Sequence, residues 1–258
     1  SARTLAMVDS ARAKGLDIKM DQYPYAASYT SISVLIPSWA RAGGQEEFKT
    51  RVENPVLRDS IENGIVFNIL NDRGGSDLGR IQFAKVEWAP ELEGKTLKYW
   101  CEQHNLEPSV ENGADLVIKA QLNGGASCVY HAMAEEDVER IMKHPMTMIG
   151  SDGLPADVHP HPRLWGTFPR VLGHYARDIK LFSLEEAVRK MTSLPAACFG
   201  LKDRGILQPG AYADLVIFDP DTIIDSATFD DPIRPAQGIE QVMVNGRVVW
   251  KDGQHTGV

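Results

Sequence analysis

The 258-residue chain is 43% hydrophobic and 24% charged, the make-up of an ordinary globular protein long enough to bury a full-sized core. Thirty-five acidic against 27 basic residues give a net charge of -8, and with no basic block this argues against nucleic acid or an anionic membrane surface as a partner. Cys101, Cys128 and Cys198 are odd in number and lack C-x-x-C spacing, which argues against a disulfide framework or a thiolate zinc site.

No run approaches the roughly 18 apolar residues of a membrane span, and Ser1-Ala2-Arg3-Thr4 shows neither a signal-peptide pattern nor an initiator methionine. A cytoplasmic location is expected, with the native start upstream. Leu5, Val8 and Ala11 recur at helical spacing between Thr4 and Lys14, and Gly15 follows as a C′ residue, so a helix opens the chain. Leu16–Asp21 alternates apolar with polar like a strand and runs into Gln22-Tyr23-Pro24-Tyr25, where the proline ends regular pairing. From Ala26 to about Glu102 the pattern loosens, with short strands expected at Ile65–Leu70 and Ile81–Trp88. This stretch reads as an insertion rather than a repeating unit.

Regular alternation returns with a helix at Ser109–Gln121, a strand at Ser127–His131 and a helix at Glu135–His144. The apolar run Met146-Thr147-Met148-Ile149 then reads as a buried strand that delivers Asp152 at its C-terminal tip, through Gly150-Ser151-Asp152-Gly153. That is where α/β barrels keep their chemistry. On the residues alone Asp152 is an Asx-turn former, since Asp before Gly is common where strands end. The loop that follows, from Leu154 to Gly166, gathers His159, His161, three prolines and Arg163, a composition typical of sites. A helix over Ser183–Cys198 opens with a capping box of Ser183 and Glu186. Past Leu201 the texture becomes β: Ala213–Asp219 and Gln241–Trp250 read as strands, the second turning on Asn245-Gly246 as a tight hairpin.

Met191-Thr192-Ser193-Leu194-Pro195-Ala196, Phe199-Gly200-Leu201 and Arg204–Val216 together resemble the C-terminal signature of the amidohydrolase superfamily. Within it, Asp21–Tyr25, the Gly150–Pro155 loop and His159–Arg170 resemble the N-acyl-D-amino-acid deacylases, or D-aminoacylases. The resemblance implies an α/β fold: the C-terminal part of a metal-dependent-hydrolase (β/α)8 TIM barrel, residues 1–200, followed by a small β-sandwich segment, 201–258. Leu16–Tyr25 would be strand seven and Thr147–Asp152 strand eight, with an insertion over about 26–125 that would cover the pocket. The first six strands, and with them the family's zinc histidines, a zinc cysteine and a substrate-binding lysine, are then expected upstream of this chain.

What the resemblance implies for the site follows residue by residue. Amide hydrolysis at neutral pH needs an activated water, which zinc supplies by lowering the pKa of its bound water to about 7. One or two Zn2+ ions are implied. Asp152 matches the aspartate that takes the water proton, passes it to the leaving amine and touches the metal. Arg163 matches the arginine that grips the substrate α-carboxylate with its planar fork of donors. Tyr23 matches a tyrosine that helps hold the same carboxylate, and reads equally as an aromatic packed before a proline. His131 would contact substrate or lid from the barrel mouth, against the competing account of a structural histidine.

His159 and His161 look like a zinc pair but are expected to position Arg163 through backbone shape, while Trp165 and Phe168 are expected to pack their loop. His104, His144, His174 and His255 carry no motif. Tyr29–Ser38 holds no cation, so neutral, apolar N-acyl-D-amino acids are the expected substrates. The expected partner is that small molecule, together with self-association or a complementing chain at unpaired strand edges. Two alternatives remain: a cyclic amidohydrolase of the dihydroorotase or hydantoinase kind, and a non-catalytic half-barrel that needs a partner chain.

Overall fold

The computed structural model describes residues 1–155 and 158–258, so Ala156 and Asp157 of the histidine-rich loop lie outside it. Nine strands occur among the described residues: β1 (Met20–Gln22), β2 (Ser28–Ser31), β3 (Ile81–Lys85), β4 (Ser127–Tyr130), β5 (Thr147–Ile149), β6 (Leu215–Phe218), β7 (Ile239–Val244), β8 (Arg247–Lys251) and β9 (Gln254–His255). The chain divides into two compact units. One comprises Ser1–Tyr25, Ala134–Gly153 and Pro162–Val258, the other Ala26–Met133 and Leu154–His161. The stretch read as an insertion falls inside the second unit, and residues 201–258 fall inside the first.

The first unit is built around β1 and β5, which pair in parallel with Met20 opposite Thr147 and Gln22 opposite Ile149. Thr147, Met148 and Ile149 are all buried, as a strand of a parallel sheet requires. The opening helix, Ala2–Ala13, follows the expected spacing but buries no residue. Glu135–Lys143 carries three acids in its first turn and Arg140 and Lys143 in its last, in line with the helix dipole.

The helix expected over Ser183–Cys198 is two helices, Leu184–Met191 and Ser193–Phe199, separated at Thr192, whose φ of -130° and ψ of -86° leave the helical region. Ser183 caps the first through the Glu186 N–H (3.2 Å), but the Glu186 carboxylate does not complete a capping box. It turns to Arg189 (2.6 Å) and Lys190 (3.5 Å). Lys190, fully buried, donates to the carbonyls of His144 (2.6 Å) and Thr147 (3.2 Å), while Arg189 donates to Pro145 (2.6 Å). Two cations of one helix thus hold three carbonyls at the start of β5.

Strands β6 to β9 form an antiparallel sheet in sequence order, and the β7–β8 turn carries positive φ at both Asn245 (51°) and Gly246 (76°). That is the backbone an Asn-Gly hairpin demands.

The second unit sets a three-stranded antiparallel sheet, order β2-β4-β3, with helices Gln45–Glu53, Pro55–Asn68, Leu97–Gln103 and Val110–Leu122. Ile65–Leu70, expected as a strand, is helical and continues a helix that starts with Asn54 as N-cap and Pro55 in its first turn. Its apolar run is too short to tell buried strand from buried helix by periodicity, and the start signals ten residues upstream decide it. Ile61, Ile65 and Ile69 face a continuous apolar core with Ile32, Phe48, Phe83, Trp100 and Val117. The two ends of the Ala26–Met133 segment meet, because the Met133 N–H donates to the Ala26 carbonyl (3.2 Å).

Candidate active site

Because β1 and β5 are parallel, their C-terminal ends emerge on the same side. The ladder closes with the Gly150 N–H donating to the Gln22 carbonyl (3.0 Å), so Tyr23 and the Gly150–Gly153 turn leave adjacent strand tips. Asp152 sits in the left-handed region (φ 47°), which aspartate tolerates better than most residues. Gly153 has to be small, since a Cβ there would lie 2.9 Å from the Leu164 Cα.

Arg163 opens the helix Arg163–Arg170 and is buried. Its Nη2 lies 2.7 Å from Asp152 Oδ2, and its guanidinium carbon stands 4.4 Å from the centre of the Tyr23 ring. The Asp152 side chain is 68% exposed, so a carboxylate facing solvent is backed by a sequestered cation. Tyr23, Asp152 and Arg163, taken from three separate stretches of sequence, are therefore brought together. Such a cluster offers an acceptor for a proton, a planar fork of donors for an anion and a phenol beside it.

His131 belongs to the other unit. It follows β4, with Nε2 3.3 Å from Gln82 Oε1 and its backbone N–H donating to Arg80 O. His161, also of that unit, is buried with Nε2 3.0 Å from Ala27 O, and His159 lies against Gly94. The two loop histidines thus each take a neighbour of their own. Trp165 (39% exposed) and Phe168 (44%) are partly covered, while the helix turns Gly166, Thr167 and Pro169 inward.

Among the described residues no three His, Cys, Asp or Glu side chains come close enough to hold a metal ion. Burial pushes the Cys128 thiol up to about 12 and raises that of Cys101 as well, so neither is a ready thiolate. The described residues therefore do not by themselves make a complete metal centre. Also among the described residues, no helix is long and apolar enough to cross a membrane.

Behind Tyr23 lies a polar layer that motif reading did not single out. Arg170 Nε donates to the Pro24 carbonyl (2.9 Å), and its guanidinium lies 5.0 Å from the Tyr25 ring centre and 5.6 Å from that of Tyr175. Asp225 Oδ2 accepts from Tyr25 Oη (3.3 Å) and Arg170 Nη1 (3.4 Å), while the Tyr175 hydroxyl donates to Glu135. Burial, reinforced by Asp225, pushes the Tyr25 hydroxyl far above its usual range, and it stays a neutral donor. The sequence signal for Arg170 was its place at the end of the His159–Arg170 stretch. Asp225 carried none.

Residues 108–250 match the amidohydrolase family. The chain is 42% identical to the N-acyl-D-glutamate deacylase of Alcaligenes xylosoxydans xylosoxydans over 97% of its length and 42% of that protein's. It is also 42% identical to a D-aminoacylase of the same organism, over all of this chain and 44% of that one. A solved N-acyl-D-glutamate deacylase from Bordetella bronchiseptica, complexed with zinc and a phosphonate mimic of the tetrahedral intermediate, superposes with a TM-score of 0.75 at 36% identity, covering 98% of this chain and 44% of that one. The chain thus spans less than half the length of the relatives it matches, and its mixed α/β fold is of the amidohydrolase type.

Proposed function

The chain belongs to the amidohydrolase family, and from that premise we propose that it is the C-terminal part of a deacylase of N-acyl-D-amino acids. The observation that carries this is the meeting of Asp152, Arg163 and Tyr23 at the tips of adjacent parallel strands. Arg163 and Tyr23 hold the substrate's free α-carboxylate. A guanidinium has five N–H donors, enough to keep Asp152 and take a second carboxylate. Asp152 takes the proton of the attacking water and delivers it to the departing amine nitrogen.

A metal, zinc as in the Bordetella relative's complex, belongs to this reading with ligands supplied by polypeptide outside these residues and Asp152 as a donor from this chain. In the same reading β1 and β5 are strands seven and eight of a (β/α)8 barrel, 26–125 is an insertion between them, and 201–258 belongs to a small β-sandwich. Further polypeptide, from the same chain or a partner, would pair with their free edges. His131 belongs to the reading only as a structural histidine of the second unit. A cation-and-phenol pair for a free carboxylate favours linear N-acyl amino acids over cyclic amides.

The absence of cations in Tyr29–Ser38 favours neutral side chains, while the likeness to an N-acyl-D-glutamate deacylase makes an acidic D-amino acid a second reading for the side chain. The test is release of free D-amino acid by the full-length protein from N-acyl derivatives of D-methionine, D-leucine, D-glutamate and D-aspartate, with Asp152→Asn beside it. The reading expects metal-dependent release that the variant loses by at least about 100-fold, the scale of a removed general base. Variant turnover near wild type would remove Asp152 from the chemistry, and hydrolysis of cyclic amides alone would overturn the substrate class.

A further inference from the structure

The helix Arg163–Arg170 presents one face to three consecutive residues beyond β1. Arg163, Gly166 and Arg170 are spaced i, i+3, i+7 and share that face. Arg163 stacks on the Tyr23 ring, Arg170 Nε bonds the Pro24 carbonyl, and a Cβ on Gly166 would come within 2.4 Å of Tyr25 Oη. Helix and turn can meet this closely only because residue 166 is glycine.

The turn needs an external hold. Its ladder with β5 ends at Gln22, and Pro24 has no N–H to extend it. The Pro24 carbonyl is the handle, gripped by Arg170 and approached to 3.4 Å by the Tyr175 hydroxyl. Arg170 is in turn oriented by Asp225, whose side chain is 7% exposed and also receives the Tyr25 hydroxyl. Phe229 packs edge-on against Tyr25 (6.2 Å), so the stretch carrying Asp225 and Phe229 reaches the turn with both a charge and a ring.

We propose that Arg170 and Asp225 are positioning residues that set Tyr23 against Arg163 and so preform the two-donor clamp for the substrate's α-carboxylate. The inference rests on the roles given above to Tyr23 and Arg163. A guanidinium fork is needed here because Nε serves Pro24 while Nη1 serves Asp225, a division that an ammonium point charge cannot reproduce. Misplacing a clamp by about 1 Å costs on the order of 100-fold in rate. The loss should fall on substrates that use the clamp.

The experiment compares the full-length wild type with Asp225→Asn and Arg170→Lys on N-acetyl-D-methionine and on its carboxamide, which lacks the anion. The proposal expects kcat/KM for the free acid to fall by roughly 10- to 100-fold, mainly through KM. The carboxamide should change by less than about twofold, so that the preference for the acid collapses. Equal losses on both substrates would reduce the layer to a fold support and overturn the proposal. A second readout is independent of turnover: 3-fluorotyrosine at position 23 reports the stacked Arg163 by its 19F resonance. Both variants should move that resonance, and an unchanged resonance in both overturns the positioning role. If the wild type hydrolyses neither compound while both variants move the 19F resonance, the deacylase reading sinks and the Tyr23–Arg163 positioning stands.

Discussion

The two units bury different things. The second closes a continuous apolar core of isoleucines, leucines, Phe48, Phe83 and Trp100, the arrangement that keeps a fold stable without directional bonds. In the first, the largest fully buried side chains are Tyr175 and Lys190, and Arg163, Thr147 and Thr167 are buried with them. All five end in polar groups that must find partners. An apolar core is held by volume and close packing, whereas a framework of buried cations on carbonyls and carboxylates fixes angles. The unit that carries Tyr23, Asp152 and Arg163 is the one built on angles.

The largest effect that would break this comparison is a cavity in the second unit. Phe83, fully buried and edge-on to Trp100 at 5.7 Å, should cost about 3–5 kcal/mol when cut to alanine, read as lost hydrogen-exchange protection in that unit. A loss under about 1 kcal/mol would mean the core is not the close-packed body described. A smaller effect is expected at a tight joint of the first unit. A Cβ on Gly173 would lie 2.2 Å from the Ile223 carbonyl oxygen, so Gly173→Ala should lower stability by about 1–3 kcal/mol in chemical denaturation. No change there would show that the joint is loose.

The mildest effect sharpens the contrast through pH. The Arg189 hydrogen bond, aided by Lys190 against the opposing effect of burial, holds the Glu186 carboxyl below its ordinary 4.5. A depressed carboxyl favours the folded state above its unfolded value, and that contribution is lost as pH falls through the lowered one. Glu186→Gln should therefore flatten the acid limb of a melting-temperature profile below pH 4.5 and leave the neutral region nearly level. An acid limb as steep as wild type would take Glu186 out of the framework.

Most local structure was legible because its signals are local. The Ser109 and Ser183 caps, the Asn245-Gly246 turn and the apolar run into Asp152 each act within a few residues. The misreadings came where local signals were ambiguous or overridden: Ile65–Leu70 belongs to a helix started well upstream, and Thr192 breaks a pattern that periodicity carried through. The site was legible only as far as motifs reach. Tyr23, Asp152 and Arg163 stood in recognisable stretches, but Asp225 lies 55 residues from the arginine it orients and has no pattern around it. For His161 the partner was out of reach for the same reason, since H-x-H spacing is visible in sequence whereas the Ala27 carbonyl that it bonds is not.

The contact between Met133 and Ala26 bears on how the molecule comes together. β1 and β5 must find each other across more than a hundred intervening residues, and closing so long a loop is slow and entropically costly. Once the intervening body has condensed on its own core, the Ala26 and Met133 ends are already side by side, and the distance to be searched shrinks to a few residues on each flank. Assembly should then be hierarchical, the second unit first and the parallel pair second, with the turn that bears Asp152 among the last features to appear.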